Sequence, residues 1–326
     1  MVTEMSAPGT PPRLFVSTTV WERHGDDIVG AIGECEPLLY VHGEHVPEEV
    51  LVDIDVACLS SDMWPHWSAA YLRACLDIPK LQWLHTFSAG VDHPIFRMFL
   101  ERGARLTTSG GSSAIPIAHH VIMSLLDASR DMPSFLRAQA RHEWAQRDVE
   151  DLEGRTVGVI GMGPIGLEVA RLAREFGMRV IGMRRSVAGI EPCETWTFDR
   201  LDDLLSIVDD LVLAVPLTAD TERMIGAEQF ARLRPGARLV NVGRGNLVDE
   251  PAMIDALRSG HLGWAALDVT SVEPLPADSP LWDFPNVVIT PHSSGATRMN
   301  DERAGAMFID NLGRFARGEA MRNEVG

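Results

Sequence analysis

The strongest constraint on the fold is a glycine-rich turn, Gly161-Met162-Gly163-Pro164-Ile165-Gly166, entered directly from the apolar run Val157-Gly158-Val159-Ile160. A buried strand running into such a turn and out into a helix is the opening of a βαβ unit. Gly161 permits the tight turn, Gly163 lets a pyrophosphate approach the backbone, and Gly166 lets the helix pack closely on the strand. Leu167, Ala170, Leu172, Ala173 and Phe176 give the following helix an apolar side, Gly177 stops it, and Arg179 to Met183 begins a second strand. The first turn of that helix offers unpaired N–H groups to phosphates, so the run predicts a dinucleotide-binding unit.

Which dinucleotide depends on the end of the second strand, where NAD sites place an acid for the ribose hydroxyls about twenty residues beyond the glycines. Here the chain reads Met183-Arg184-Arg185-Ser186, with Arg184 in the acidic position. Two guanidinium groups and a serine hydroxyl suit the dianionic 2'-phosphate of NADP(H), which is favoured, while NAD(H) use stays open.

A chain of 326 residues is long enough for two domains. Its formal net charge of -17 argues against a general nucleic-acid surface while permitting a local basic pocket. No stretch is long and apolar enough to span a membrane, and MVTEMSAPGTPPR lacks the charged start and hydrophobic core of a signal peptide, so a cytoplasmic location is the expectation. Cys35, Cys58, Cys75 and Cys193 are too dispersed for a disulfide framework or a zinc knuckle, and no metal is expected.

Before the glycine turn, Arg13 to Ser17, Pro37 to Val41, Val56 to Leu59, Leu81 to Phe87 and Arg105 to Thr108 read as short strands, with a helix at Ser68 to Leu76. This predicts a smaller α/β domain, followed by a long apolar-sided segment, Ile117 to Ser129. Beyond the turn, strands are expected at Leu211 to Leu217, Arg238 to Val242, Gly263 to Val269 and Val287 to His292, with a helix from Val248 through Leu257. Parallel strands carry ligands at their carboxyl ends. That places Thr218 and Thr221, Arg244 held between Gly243 and Gly245, Asp268, Glu273 and His292 in loops where side chains can converge on a cleft.

The Gly161 to Gly166 turn, Asn241-Val242-Gly243-Arg244-Gly245 with Val248-Asp249-Glu250, the Asp268 to Pro276 segment and Thr290-Pro291-His292 together resemble the D-isomer-specific 2-hydroxyacid dehydrogenase family, including its glyoxylate/hydroxypyruvate reductase-like members. The resemblance covers nearly the whole chain and implies an NAD(P)-dependent oxidoreductase interconverting a 2-oxoacid and a 2-hydroxyacid. Arg244, Glu273 and His292 match its catalytic set. Arg244 and His292 would also bind substrate, together with Ala89, Gly90 and Val91 of the Ser88 to Asp92 loop. Gly161, Gly163, Pro164, Ile165, Gly166, Arg184, Arg185, Ser186, Val215, Pro216, Thr221, Val242, Arg244 and Asp268 match positions along the cofactor channel, with Asp268 facing the nicotinamide.

The implied architecture is a doubly wound parallel-sheet cofactor domain over 117–295 and a smaller flavodoxin-like α/β substrate domain over 1–116 and 296–326, with the cleft at their junction. The resemblance further implies a homodimer, with Pro133 to Trp144 as a candidate interface arm. One departure is Ile117-Ala118-His119-His120, where relatives carry Ala-Glu-His and His119 replaces the glutamate. Two other readings stand beside the oxoacid reductase: a dehydrogenase of another small anion, such as formate or phosphite, and a nucleotide-sensing regulatory protein.

Overall fold

The computed structural model describes residues 11–91, 93–187, 189 and 191–325; Asp92 of the expected substrate loop and the first ten residues of the chain lie outside the described residues. The chain divides into two compact units, Met1–Ser112 with Thr297–Gly326, and Ser113–Ala296.

In chain order, the first unit starts with β1 (Leu14–Ser17), α1 (Thr18–Ile32), β2 (Leu38–Tyr40), β3 (Val56–Leu59), α2 (Ser68–Asp77), β4 (Trp83–Thr86), α3 (Pro94–Glu101) and β5 (Arg105–Thr108). The second unit follows as α4 (Ala114–Ser129), α5 (Met132–Ala140), β6 (Thr156–Ile160), α6 (Pro164–Glu175), β7 (Arg179–Met183), β8 (Glu194–Trp196), α7 (Leu201–Ile207), β9 (Asp210–Leu213), α8 (Ala227–Arg232), β10 (Ala237–Asn241), α9 (Glu250–Arg258), β11 (Leu262–Leu267) and β12 (Val287–Ile289). The chain then completes the first unit with α10 (Arg298–Ala316) and β13 (Glu324–Val325).

The first unit is a sheet in the order β13-β5-β4-β3-β1-β2. Its five long-range parallel strands follow the flavodoxin-like order, and β13 adds antiparallel to β5 at one edge. Strands β1, β3 and β4 are buried along their whole length, as strands covered on both faces must be; β1 and β3 read as mostly apolar runs, while β4 also buries His85 and Thr86. Two helices close one face: α1 presents Val20, His24 and Ile28, and α10 presents Ala304, Gly305, Phe308 and Leu312. A methyl group at Gly305 would lie 2.4 Å from His24 Nε2, so the glycine sets how closely the two helices approach.

The second unit is an all-parallel sheet in the order β12-β11-β10-β9-β6-β7-β8, a doubly wound arrangement whose strand order reverses between β6 and β9. Apolar side chains from both faces form its core, with Leu211, Leu213 and Leu239 on one side and Val157, Val159, Val212 and Val240 on the other. At the amino edge, Asp210 is fully buried and takes Arg155 Nε at 2.9 Å. Burial holds that carboxyl above its ordinary range against the pull of the guanidinium.

Several strands are shorter than expected from the sequence, at the carboxyl end in the second unit and at both ends in β2 and β4. β9 stops at Leu213 rather than reaching Leu217, and β12 stops at Ile289 rather than running to His292, whose φ of 49° is left-handed and incompatible with a strand. The helix expected from Val248 begins at Glu250 because Asp249 caps it, its carboxylate accepting the Ala252 N–H at 3.2 Å. No helix among the described residues is long and apolar enough to cross a membrane.

Candidate functional site

Because the second sheet is parallel throughout, the loops after β6, β7, β9, β10, β11 and β12 all leave from one edge, and the cofactor and catalytic residues selected from the sequence in this unit lie in them or, for Pro164, Ile165 and Gly166, in the first turn of α6. At the start of this edge the glycines are sterically required. A Cβ on Gly161, whose φ is +106°, would fall 2.5 Å from the Ala214 carbonyl oxygen, and one on Gly166 would fall 1.8 Å from the Gly161 oxygen. Gly163 has no atom within 4 Å of its Cβ position, and α6 begins there without a side-chain cap. α6 therefore opens with orphan N–H donors, and the space beside Gly163 is clear, which is what a pyrophosphate needs. The residues present fit a bound dinucleotide.

At the end of β7, Arg185 and Ser186 are exposed, but Arg184 is half-buried and paired with Glu191 at 2.7 Å. In the loop after β9, Val215 is buried and Pro216 exposed, while the Thr221 hydroxyl accepts from the Thr218 N–H and donates to the Pro216 carbonyl, both at 2.8 Å. That hydroxyl shapes its own loop. Val242 is 6% exposed and forms part of the core below the edge.

The loop after β10 is clamped by Asn241, whose Nδ2 donates to the Arg244 carbonyl at 2.9 Å and whose Oδ1 accepts the Gly243 N–H at 3.1 Å. Arg244 is half-buried, and its Nη1 donates to the Gly243 carbonyl at 2.8 Å. A Cβ on the next residue, Gly245, would lie 2.0 Å from the Thr270 carbonyl carbon and oxygen, so this loop and the loop after β11 are in backbone contact. In that second loop, Glu273 Oε1 accepts the Thr270 N–H at 3.2 Å and Glu273 Oε2 pairs with His292 Nδ1 at 2.9 Å. Arg244, Glu273 and His292 thus come from three neighbouring strands, joined through Gly245 and Thr270.

His292 is held from behind. Its N–H donates to the Asp268 carbonyl at 2.8 Å and the Thr290 carbonyl at 2.9 Å. Asp268, expected to face a nicotinamide, is 2% exposed, and its carboxylate is engaged by the His292 loop. It accepts from Thr290 Oγ1 at 2.6 Å, Ser293 N–H at 3.0 Å, Ser294 N–H at 3.1 Å and the Ser294 hydroxyl. Its direct partners are loop groups. With Nδ1 on Glu273 and the imidazole half exposed, Nε2 is left to exchange a proton with a ligand.

Sequence reasoning assigned no role to Asn241, Glu250, Thr290 or Ser294. Glu250 Oε2 takes the Ser271 hydroxyl at 2.5 Å and so fastens α9 to the loop that carries Glu273. An acid two residues past Val248, or a serine two past a histidine, carries no signal by itself because each partner is distant in the chain.

In the first unit, the expected substrate loop follows β4. Ala89 is exposed, and Gly90 and Val91 are half-buried. Ser88 folds the loop: its hydroxyl donates to the Gly90 carbonyl at 2.9 Å and lies 2.9 Å from Thr86 Oγ1. Behind it, fully buried His85 bridges Thr107 Oγ1 at 2.7 Å and Ser109 Oγ at 3.0 Å, and burial pushes its pKa down to about 3. On α4, His119 is exposed and His120 half-buried. Among the described residues no group of three His, Cys, Asp or Glu side chains could hold a metal.

Residues 122–294 match the family model of the D-isomer specific 2-hydroxyacid dehydrogenase NAD binding domain. The chain is 37% identical to the glyoxylate/hydroxypyruvate reductase B of Pectobacterium atrosepticum over 76% of its own length and 79% of that relative. It is 34% identical to the D-3-phosphoglycerate dehydrogenase of Methanocaldococcus jannaschii over 76% of its length, but spans about half (48%) of that relative. A solved NADPH-dependent glyoxylate/hydroxypyruvate reductase from Sinorhizobium meliloti superposes with a TM-score of 0.81 at 29% identity, covering 97% of this chain and 98% of the other. The chain belongs to the D-isomer-specific 2-hydroxyacid dehydrogenase family, as an oxidoreductase with an NAD(P)H-binding Rossmann domain that acts on a hydroxyacid/oxoacid pair.

Proposed function

We propose that the protein is an NADPH-dependent 2-oxoacid reductase forming D-2-hydroxyacids, with small substrates of the glyoxylate and hydroxypyruvate kind. The observation that carries this reading is the His292 Nδ1 to Glu273 Oε2 pair at 2.9 Å, which leaves Nε2 free to serve a carbonyl oxygen. Bound at the glycine turn, NAD(P)H supplies the hydride. Arg244 holds the substrate carboxylate and polarises the adjacent carbonyl through charge-assisted hydrogen bonds, and in the first unit the backbone N–H groups of Ala89, Gly90 and Val91 are assigned to carboxylate binding. His292 donates its Nε2 proton to the oxygen that becomes the product hydroxyl. Glu273 orients the ring through its contact with Nδ1. In the oxidative direction His292 accepts that proton.

The pyrophosphate would lie on the N–H groups of Ile165 and Gly166, with Gly161, Gly163 and Pro164 keeping the approach clear. Val215, Pro216, Thr221, Val242 and Asp268 would wall or brace the rest of the cofactor channel. Arg185 and Ser186, with Arg184 behind them, would receive the 2'-phosphate. The Sinorhizobium meliloti and Xanthobacter autotrophicus relatives, each 29% identical, were solved with NADP and NADPH respectively, which supports that choice.

The functional unit is proposed to be a homodimer through the 133–144 arm, whose Leu136 and Trp144 are 58% and 95% exposed. The four free thiols suit a reducing, cytoplasmic setting.

Initial rates with NADPH and NADH against glyoxylate, hydroxypyruvate, pyruvate, phenylpyruvate and branched 2-oxoacids, with chiral analysis of the products, test the reading. NADPH-linked formation of D-hydroxyacids is the expected result. A folded, NADPH-binding protein that reduces none of them would overturn it and favour a dehydrogenase of another small anion or a nucleotide sensor.

A further inference from the structure

The end of β7 carries a group that the cofactor reading does not use. The Arg184 backbone is fixed by its N–H to the Trp196 carbonyl at 3.1 Å, so its guanidinium emerges from a defined point at the sheet edge. There Glu191, from the far end of the same loop, meets Arg184 Nη1 at 2.7 Å. The Glu191 side chain is 3% exposed against 34% for Arg184. A nearly buried carboxylate is poorly screened, and it acts both on the guanidinium it neutralises and on any anion placed beside that guanidinium. Arg185 and Ser186, by contrast, are exposed at the same edge.

We propose that Glu191 is a specificity-determining residue that sets the NADPH to NADH ratio by compensating the charge of Arg184. The inference rests on the reading that the 2'-phosphate binds at Arg184 to Ser186. Arg185 and Ser186 hold the phosphate, and the Arg184–Glu191 pair as a whole adds little net attraction. NADH carries no 2'-phosphate and is nearly indifferent to the carboxylate. The residue thereby keeps the second cofactor usable, because it limits the gain that two adjacent arginines would otherwise give NADPH.

The test is direct nucleotide binding, by calorimetry or nucleotide fluorescence, to the intact protein and to Glu191→Gln, Arg184→Gln and the double variant. Glutamine keeps the size of the side chain and its acceptor oxygen, so Arg184 stays in place while the negative charge is removed. Glu191→Gln is expected to tighten NADPH about tenfold, the scale of one partly screened charge interaction at close range, and to change NADH less than twofold. Arg184→Gln should weaken NADPH binding about tenfold by leaving the Glu191 carboxylate unopposed, and the double variant should return to about the wild-type affinity. Unchanged or weakened NADPH binding in Glu191→Gln, or equal changes for both nucleotides, would overturn the proposal. If Glu191→Gln unfolds, near wild-type NADPH affinity in the double variant supports the proposal, and a loss there as large as that of Arg185→Gln overturns it. A wild-type protein that binds NADH better than NADPH, with Arg185→Gln neutral to both, would instead refute the phosphate site itself.

Discussion

Replacing Asp268 with asparagine separates two roles for this acid, contact with the cofactor and support of His292. Asparagine can keep its oxygen where Oδ1 now accepts from Thr290 Oγ1, Ser293 N–H and Ser294 N–H. The Ser294 hydroxyl at the other oxygen can turn and accept from the new amide. The variant therefore keeps the geometry and loses the charge. A hydrogen bond to an ionised acceptor contributes about 1 kcal/mol more than a neutral one, so three of them amount to about 3 kcal/mol. That support holds His292 in a left-handed conformation, at φ 49°, that costs a non-glycine residue about 1 kcal/mol or more. Hydrogen exchange at the Ser293 and Ser294 amides should accelerate by about two orders of magnitude, the equivalent of that energy. Turnover should fall by a similar order while NADPH affinity changes less than twofold. Normal exchange at those amides with weakened NADPH binding would refute the reasoning and return Asp268 to the cofactor.

Gly245→Ala should lower turnover and destabilise the protein by about 1–3 kcal/mol, because its methyl group would sit 2.0 Å from the Thr270 backbone; an active variant of wild-type stability would contradict the contact. Gly30→Ala, in α1 with nothing within 4 Å of the new carbon, should instead stabilise the protein by about 0.5–1 kcal/mol in thermal unfolding, and a lowered Tm would count against it. His85 is held neutral, with its pKa pushed from an unfolded value near 6.5 down to about 3. Its contribution is therefore complete above pH 6.5 and lost below it at about 1.4 kcal/mol per pH unit, about 2 kcal/mol at pH 5. The stability gap between the wild type and His85→Gln in urea unfolding should narrow by that amount from pH 7 to pH 5, and a constant gap would contradict it.

The parallel sheets were legible because their strands are largely buried: the strands expected at β3, β5 and β7 have matching ends, β3 and β7 as mostly apolar runs and β5 with Thr107 and Thr108 buried beside Leu106. The two helices that close one face of the first unit were not. α1 interrupts its apolar stripe with buried His24, and α10 mixes the small Ala304 and Gly305 and the polar Asn311 into a face otherwise carried by Phe308 and Leu312, which weakens the apolar signal. At the site, the glycine turn and the Arg244, Glu273 and His292 positions stood out because each follows a strand and carries unusual chemistry for its place. The supports did not. Asp268 reads as nicotinamide-facing from the family resemblance, and its bonds to Thr290, Ser293 and Ser294 were not legible because those partners lie 22 to 26 positions along the chain. Arg184 looked like an unopposed cation because Glu191 lies seven residues away, with no regular element to suggest that the loop folds back.

The most direct test of the proposed chemistry is turnover of His292→Ala measured together with its affinity for NADPH. A proton donor at this position predicts a fall in kcat of about two to four orders of magnitude with NADPH binding preserved. Undiminished 2-oxoacid reduction by the variant would contradict the role given to the Glu273 and His292 pair.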